Sequence, residues 1–305
     1  MALSSATIPQ PFPYQGSKRK LGPKIVQCLP ARIDRLIEPF AGSAAISVAV
    51  AWAGKARRFW LNDTHQALVD LWKRIIHDVD GLSRNYAEIW EAQHGREREQ
   101  YNEVRNEFNR THRPELLLFL LARCVKAAIR YNRKGQFNNS PDHRRKGMRP
   151  ATMARNLKLI SQALGPNTRM TSWDYTRVLA EAKPVDLVYM DPPYQGVCKN
   201  RDPRYVDAIR FVEFAEALEV LNERGVPFIV SYDGRTGDRT YGRKLPSHLG
   251  LYHAEIYAGR STQATLLGRN HDTYESLYLS PALTEQLTQI PESLKGRQKP
   301  LALFD

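Results

Sequence analysis

Asp186-Leu187-Val188-Tyr189-Met190-Asp191-Pro192-Pro193-Tyr194 is an apolar run of strand length that ends in a carboxylate on a rigid Pro-Pro backbone. The first five residues predict a buried strand. In an open α/β sheet, ligands bind beyond the carboxyl ends of the strands, so Asp191 stands where a site belongs. The Asp191 side chain and the Pro192 carbonyl offer two acceptors to a planar amine. Together they would keep the nitrogen lone pair available for in-line attack on a sulfonium methyl. Tyr194 supplies a stacking face for a base taken out of its helix. Taken alone, the tetrapeptide reads equally as a Pro-rich surface turn.

Upstream, the same alternation of strand and loop recurs. Leu21, Ile25, Val26 and Leu29 mark a helix ended by Pro30, and Ile33–Ile37 reads as a buried strand. The loop Glu38-Pro39-Phe40-Ala41-Gly42-Ser43 follows, then an Ala/Val helix to Trp52. Small residues in such a loop let backbone approach a nucleotide-like ligand, although a tight βα turn needs them too. A second strand, Arg58–Leu61, leads to Asn62-Asp63, and Asp63 lies 21 residues after Gly42. That spacing suits an acid on ribose hydroxyls, and equally a helix N-cap. Strand, helix, strand, helix predicts a parallel sheet with helices on both faces. Ahead of it, Phe12-Pro13-Tyr14-Gln15-Gly16-Ser17-Lys18 combines an aromatic, a turn and a cation that could close over a carboxylate-bearing cofactor.

Between these strands and the opening stretch the pattern changes. Residues 81–109 are polar and helical, Glu115–Ile129 is an apolar helix, and Arg130–Arg149 is irregular and basic. Arg130–Lys158 carries nine Lys or Arg and one acid, a net +8 of the chain's +13. A basic excess of this size suits a polyanion, through phosphate neutralisation and counterion release. Within it, Arg130-Tyr131-Asn132-Arg133-Lys134-Gly135-Gln136-Phe137-Asn138 reads as a hairpin-like turn mixing cations, aromatics and amides, able to bind phosphate and read base edges. An aromatic at such a turn can wedge into a base stack. Downstream, strands are expected at Arg169–Ser172, Phe228–Ser231, Leu251–Tyr257 and Ser276–Leu279, with a helix through Phe211–Asn222 and an extended polar tail from Pro281.

Composition narrows the setting. With 305 residues, 42% hydrophobic and 25% charged, the chain can hold one sizeable core and an inserted lobe. Its apolar runs are too short or too rich in small residues to span a bilayer, and no charged-then-apolar leader opens it. Three scattered cysteines, Cys28, Cys124 and Cys198, argue for a reducing cytoplasm and against a disulfide frame or a metal site.

The order of the motifs FPYQGSK, EPFAGS, LND, RYNRKGQFN, DPPY and PFIVSYDG (Pro227–Gly234) resembles that of the Dam-type adenine-specific DNA methyltransferases, from about Phe12 to Ser280. The resemblance implies an α/β fold: a Rossmann-like S-adenosylmethionine-dependent methyltransferase sheet over residues 1–70 and 166–280. A helical target-recognition lobe is inserted at 71–165, and 281–305 form a tail. It implies catalysis through Asp191, Pro192 and Tyr194, without a metal. The cofactor S-adenosyl-L-methionine would be held by Tyr14, Lys18, Glu38, Phe40, Gly42, Asp63 (on the ribose), Asp174 and Asp191. Double-stranded DNA would be met by Arg130, Tyr131, Asn132, Lys134 and Asn138. The sequence departs from the family at Ala44 and Ser17, each standing where the family has glycine, and after Asn138. None of the cysteines follows a proline in a nucleophile loop, which argues against cytosine carbon-5 chemistry. N4-cytosine methylation and a catalytically silent DNA-binding subunit of a restriction system are the alternatives. The ending Lys299-Pro300-Leu301-Ala302-Leu303-Phe304-Asp305 resembles peptides that dock on bacterial sliding clamps, with Leu301, Leu303 and Phe304 as anchors; the alternative is a tail packed on its own domain.

Overall fold

The computed structural model describes residues 4, 7–193, 210–236, 239–241, 243–260 and 272–287. Tyr194, Cys198 and the tail anchors Leu301, Leu303 and Phe304 lie outside them.

The opening stretch is a strand, as read. It is β4 (Asp186–Met190), and with β1 (Ile33–Glu38), β2 (Ala56–Asn62), β3 (Arg169–Thr171) and β5 (Phe228–Thr236) it forms a parallel set. Three antiparallel strands complete the sheet: β6 (Arg239–Tyr241), β7 (Tyr252–Arg260) and β8 (Asp272–Leu279). The order is β3-β2-β1-β4-β5-β8-β7, with β6 paired to β5. The chain steps outward from β1 to β3, then returns to the other side of β1 for β4 and β5. That reversal leaves a crevice beyond the carboxyl ends of β1 and β4, where this class of sheet binds ligands.

Both faces of the sheet are covered, so the period of two distributes the strand residues between two cores. Leu36, Phe59, Leu61, Leu187, Tyr189 and Ile229 join one cluster. Ile37, Trp60, Val188, Met190, Phe228 and Val230 join the other. On the first face lie α1 (Gly22–Gln27), α2 (Ala45–Trp52), α3 (Gln66–His77) and α7 (Pro150–Leu164). On the second lie α8 (Tyr175–Glu181) and α9 (Phe211–Glu223).

The helical segment between β2 and β3 also contains α4 (Val79–Glu91), α5 (Glu97–Thr111) and α6 (Pro114–Arg123). Tyr86, Tyr101, Phe108 and Leu116 through Leu121 are buried in the same cluster that covers the sheet's first face. Lobe and sheet therefore share a core. Glu115, buried at the start of α6, is met by Arg113 and by Arg74 of α3, an ion cluster that fixes α6 against α3.

Two elements differ from their sequence reading. The apolar helix ends at Arg123 instead of running to Ile129. Cys124 forms a bridge with Pro141, Val125 donates to the Ser140 carbonyl, and Lys126 and Ala127 take left-handed backbone. Pairing with the returning chain thus replaces helical bonding. The segment after Ser280 is not extended at its start: α10 (Pro281–Gln286) is a helix whose N-cap Ser280 accepts from Leu283 N. Serine followed by proline is a helix-start signal, and buried Leu283 anchors the turn.

A bulge re-aims the end of β5. Its register against β8 shifts between Ser231 and Gly234, and Asp233 has φ 54°. A Cβ on Gly234 would stand 2.6 Å from the Tyr274 carbonyl oxygen. Gly234→Ala must push two strands apart and is expected to cost about 1–3 kcal/mol, the range for overpacking, measured as a lowered urea midpoint.

Candidate active site

The site assembles where β1 and β4 end. Glu38 closes β1, is buried, and accepts the backbone N–H of Ser47 in the first turn of α2. Burial pushes its carboxyl up to about 8, opposed by the Ser47 hydrogen bonds and reinforced by Asp191. After Glu38 the chain turns through Gly42 (φ +50°) and Ala44 (φ 45°). Ala44 thus holds a left-handed backbone that only glycine adopts without strain. Tyr14 lies over Gly42, where a Cβ would come within 3.0 Å of the ring. Ser43 Oγ donates to Ser17 Oγ at 2.9 Å, so the N-terminal loop and the first βα loop close on each other.

Asp63, at the end of β2, accepts Gly42 N–H at 3.0 Å and His65 N–H at 2.9 Å. Its carboxylate therefore fixes the tip of the glycine loop. The neighbouring Asn62 is fully buried. It donates to the carbonyls of Pro39 and Trp173, and accepts from Thr171 Oγ and Trp173 N. This amide ties the ends of β1, β2 and β3 together. The sequence reading passed over it, because LND was valued for its acid.

Lys18 brings in the N-terminus. Its side chain is buried, and Nζ lies 3.3 Å from Asp191 Oδ1 and 3.0 Å from both oxygens of Glu275. Burial lowers its pKa, but Asp191, Glu275 and Tyr189 outweigh it and the net direction is up. Glu275 belongs to β8 and was not foreseen; no local motif surrounds it, and only the β5–β8 pairing brings it here.

The remaining cofactor candidates lie at the edge of this group. Phe40 is half-buried, its ring 5.3 Å from that of Tyr175. Asp174 is exposed and N-caps α8, accepting from Thr176 N at 2.8 Å. Beside it, the Trp173 ring is covered by the Arg177 guanidinium at 3.6 Å. Burial pushes the Cys28 and Cys124 thiols up to about 12 and about 11, so neither is poised as a nucleophile.

The basic turn is a hairpin. Tyr131 bridges to Phe137, Asn132 N donates to Gln136 O, and Asn138 N donates to Arg130 O. Asn132 shapes the tip: its Oδ1 accepts from Lys134 N and Gln136 N, at 2.9 and 3.0 Å. Phe137 is buried, edge-on to Phe108, and Asn109 of α5 pairs with both its N–H and its carbonyl. It cannot serve as a wedge. Tyr131 is half-buried and stacks on His65, with its hydroxyl bonded to His65 Nε2. His65 Nδ1 accepts Leu68 N–H, so in the neutral imidazole Nε2 carries the proton and donates it to Tyr131. Arg133, Lys134, Gln136 and Asn138 are exposed, while Arg130 Nε is buried without a hydrogen-bond partner.

A doubly wound sheet with a glycine loop, a paired acid and a DPP turn at its switch point defines a Rossmann-like methyltransferase. More narrowly, residues 14–259 match the family of D12 class N6 adenine-specific DNA methyltransferases, and the chain belongs to that family. It is an enzyme of adenine N6 methylation in DNA, which removes N4-cytosine methylation and the silent subunit from consideration. Similar proteins include the retron Ec67 DNA adenine methylase of Escherichia coli, 27% identical over 83% of this chain and 87% of that one. The type II methyltransferase M.MjaIII of Methanocaldococcus jannaschii is 26% identical over 72% and 82%. A DNA adenine methylase of Serratia marcescens is 26% identical over 84% and 93%. No helix among the described residues is long and apolar enough to cross a membrane.

Glu38 carries a pH signature. The folded chain keeps its proton up to about 8, whereas the unfolded chain releases it near the ordinary 4.5. Stability from this group is therefore lost as pH rises through that window. Glu38→Gln removes the titration, so the urea midpoint of the variant is expected to gain on the wild type between pH 5 and pH 8.

Proposed function

We propose that this chain transfers a methyl group from S-adenosylmethionine to N6 of an adenine swung out of duplex DNA, with Asp191 and the Pro192 carbonyl receiving the two amine hydrogens. The observation that carries this reading is the position of Asp191. It stands at the carboxyl end of β4, in the switch-point crevice, beside the buried ammonium of Lys18.

The surrounding residues suit such a cofactor. At Gly42 a Cβ would press on the Tyr14 ring, so the glycine lets Tyr14 close on the first βα loop at the crevice where the amino-acid and ribose portions would lie. Asp63 is already oriented by two backbone N–H groups, and the further lone pairs of its oxygens suit ribose hydroxyls. Phe40 and the Asp174 turn would flank the adenine end. When bound, the cofactor supplies an electrophilic methyl on a sulfonium.

The protein's own work is positional. The Lys18 ammonium lies beside Asp191, whose ionised carboxyl oxygens can only accept. Two acceptors on a short rigid turn orient the amine and hold its lone pair in line, without a covalent enzyme intermediate. Tyr194, next along the chain, would stack on the base. Asp191 thus acts as an aligning acceptor more than as a strong base.

The hairpin is the proposed DNA contact. Lys134 and Arg133 at its tip suit phosphate, and Asn138 a base edge or sugar. The orphaned Nε of Arg130 would gain a partner from an acceptor on the DNA. Tyr131 would have to leave His65 before it could enter a base stack.

Two measurements test this reading. Asp191→Ala is expected to lower methyl transfer by at least about 10²-fold, comparable to losing one charge-stabilising contact in a preorganised site. Its fold should persist, because Glu275 still pairs Lys18. Modified-base sequencing of DNA from cells expressing each form reads base, atom and context together, and undiminished N6-methyladenine in the variant would overturn the role. Lys134→Ala is expected to weaken binding equally across sequences and to reduce the slope of log K against log salt by about one.

A further inference from the structure

Helix α3 begins at an unusual cap. His65 takes the N-cap position, and its Nδ1 accepts the Leu68 N–H at 3.1 Å. Asn, Asp, Ser and Thr are the usual choices there, with short side chains that reach no further. The imidazole has a second nitrogen on its far side. That atom, Nε2, donates to the hydroxyl of Tyr131 in the hairpin. The two rings also stack, 5.4 Å between centroids and 22° between planes. The His65 backbone is fixed by its own N–H on Asp63, at 2.9 Å. A residue that caps a helix thus doubles as a berth for the aromatic of the basic turn.

The backbone on either side of Tyr131 is pinned. Tyr131 bridges to Phe137, whose N–H and carbonyl are both held by Asn109, while Asn132 N donates to Gln136 O and Asn138 N to Arg130 O. Leaving His65 is therefore a rotation of one half-buried side chain, and the turn keeps its shape. Burial lowers the pKa of His65 and pushes the Tyr131 hydroxyl up to about 12, so near pH 7 both partners are neutral. One neutral hydrogen bond and one aromatic pair each weigh about two- to tenfold in an equilibrium. A ring stacked on a nucleic-acid base weighs about 5- to 150-fold. The two places open to the tyrosine are thus close in free energy, and the berth sets how much stacking the DNA must offer.

We infer that His65 is a positioning residue that holds Tyr131 back from DNA, so that the ring enters the duplex only where the base stack has opened. On a closed duplex the tyrosine stays on His65, and the exposed Arg133 and Lys134 hold the phosphates. Where a nucleotide has swung out, the gap offers two base faces, and the ring exchanges His65 for them. His65 acts only through Tyr131 and touches neither substrate nor reacting atoms.

This inference rests on the hairpin as the DNA contact, and fluorescence anisotropy on the full chain tests it. The probes are two duplexes of one sequence, one intact and one lacking a single central base, which leaves a ready gap. Tyr131→Phe keeps the ring and loses the hydroxyl, so the preference for the abasic duplex is expected to rise about two- to tenfold. His65→Asn keeps an N-cap acceptor for Leu68 and withdraws the berth entirely, so it should raise that preference further. Affinity for the intact duplex should hold, because phosphate contacts carry it. A merely structural His65 would instead weaken both duplexes together with the urea midpoint, and an unchanged or lowered preference in the two variants overturns the inference. If His65→Asn does not fold by circular dichroism, Tyr131→Phe, which alters no backbone contact, decides alone. Tyr131→Ala, without a ring, should lose the preference. If it binds the abasic duplex as well as wild type does, the tyrosine has no place in the stack and the inference falls with it. Methylation of cellular DNA reads the transfer itself independently of all these outcomes.

Discussion

An ammonium held out of water must be paired, and in this protein Lys18 is paired across the whole architecture. Its side chain reaches from a short turn near the N-terminus to the loop after β4 and to β8, far apart in sequence. An ammonium as buried as that of Lys18 costs several kcal/mol if left without a carboxylate, so the segments that pair it are held to one arrangement. Buried Phe12 and the Gln15 N–H on the Ala127 carbonyl hold the N-terminal loop as well. There Ser17 meets Ser43, and Tyr14 lies over Gly42.

The first βα loop shows how backbone geometry and side-chain pairing share the same task. Gly42 and Ala44 both adopt positive φ, and for alanine this stores strain of about 1–2 kcal/mol. Asp63 receives the Gly42 N–H, Trp72 Nε1 donates to the Gly42 carbonyl, and Asn62 donates to the carbonyls of Pro39, after β1, and Trp173, after β3. A strained turn persists when its surroundings over-determine it. Here the surroundings come from β2, α3 and the chain after β3, so the glycine loop is tied to the core beneath it.

The lobe obeys the same logic on a larger scale. Its helices are buried in one continuous cluster with the sheet. The hairpin is fastened to α5 through Asn109 and Phe137, and to α3 through His65 and Tyr131. The backbone N–H of His65 in turn goes to Asp63, so Asp63 and the aromatic of the hairpin are separated by a single residue. The cationic tip is thereby carried on a base that is packed and hydrogen-bonded, with its cations exposed.

The sequence by itself determined the class of fold and which loops stand at the strand ends. Short apolar runs ended by loops specify strands, and the order of the motifs specifies which strand ends carry Gly42, Asp63 and Asp191. Those signals are local, because a strand's period and a turn's chemistry are written in adjacent residues. What the tertiary structure decided is every partnership between distant segments. Glu275 sits in a strand with no motif around it, and its meaning arises from a bulge that aligns β8 with the end of β5. Asn62 looked like the companion of an acid and proved to be the knot between three strand ends. Phe137, read as one of the aromatics of a DNA-facing turn, is core, and the helix expected to reach Ile129 stops at Arg123 because the returning chain claims its backbone. A residue's neighbours along the chain fix its local conformation, but burial and electrostatic pairing depend on neighbours in space, and those exist only once the sheet has closed.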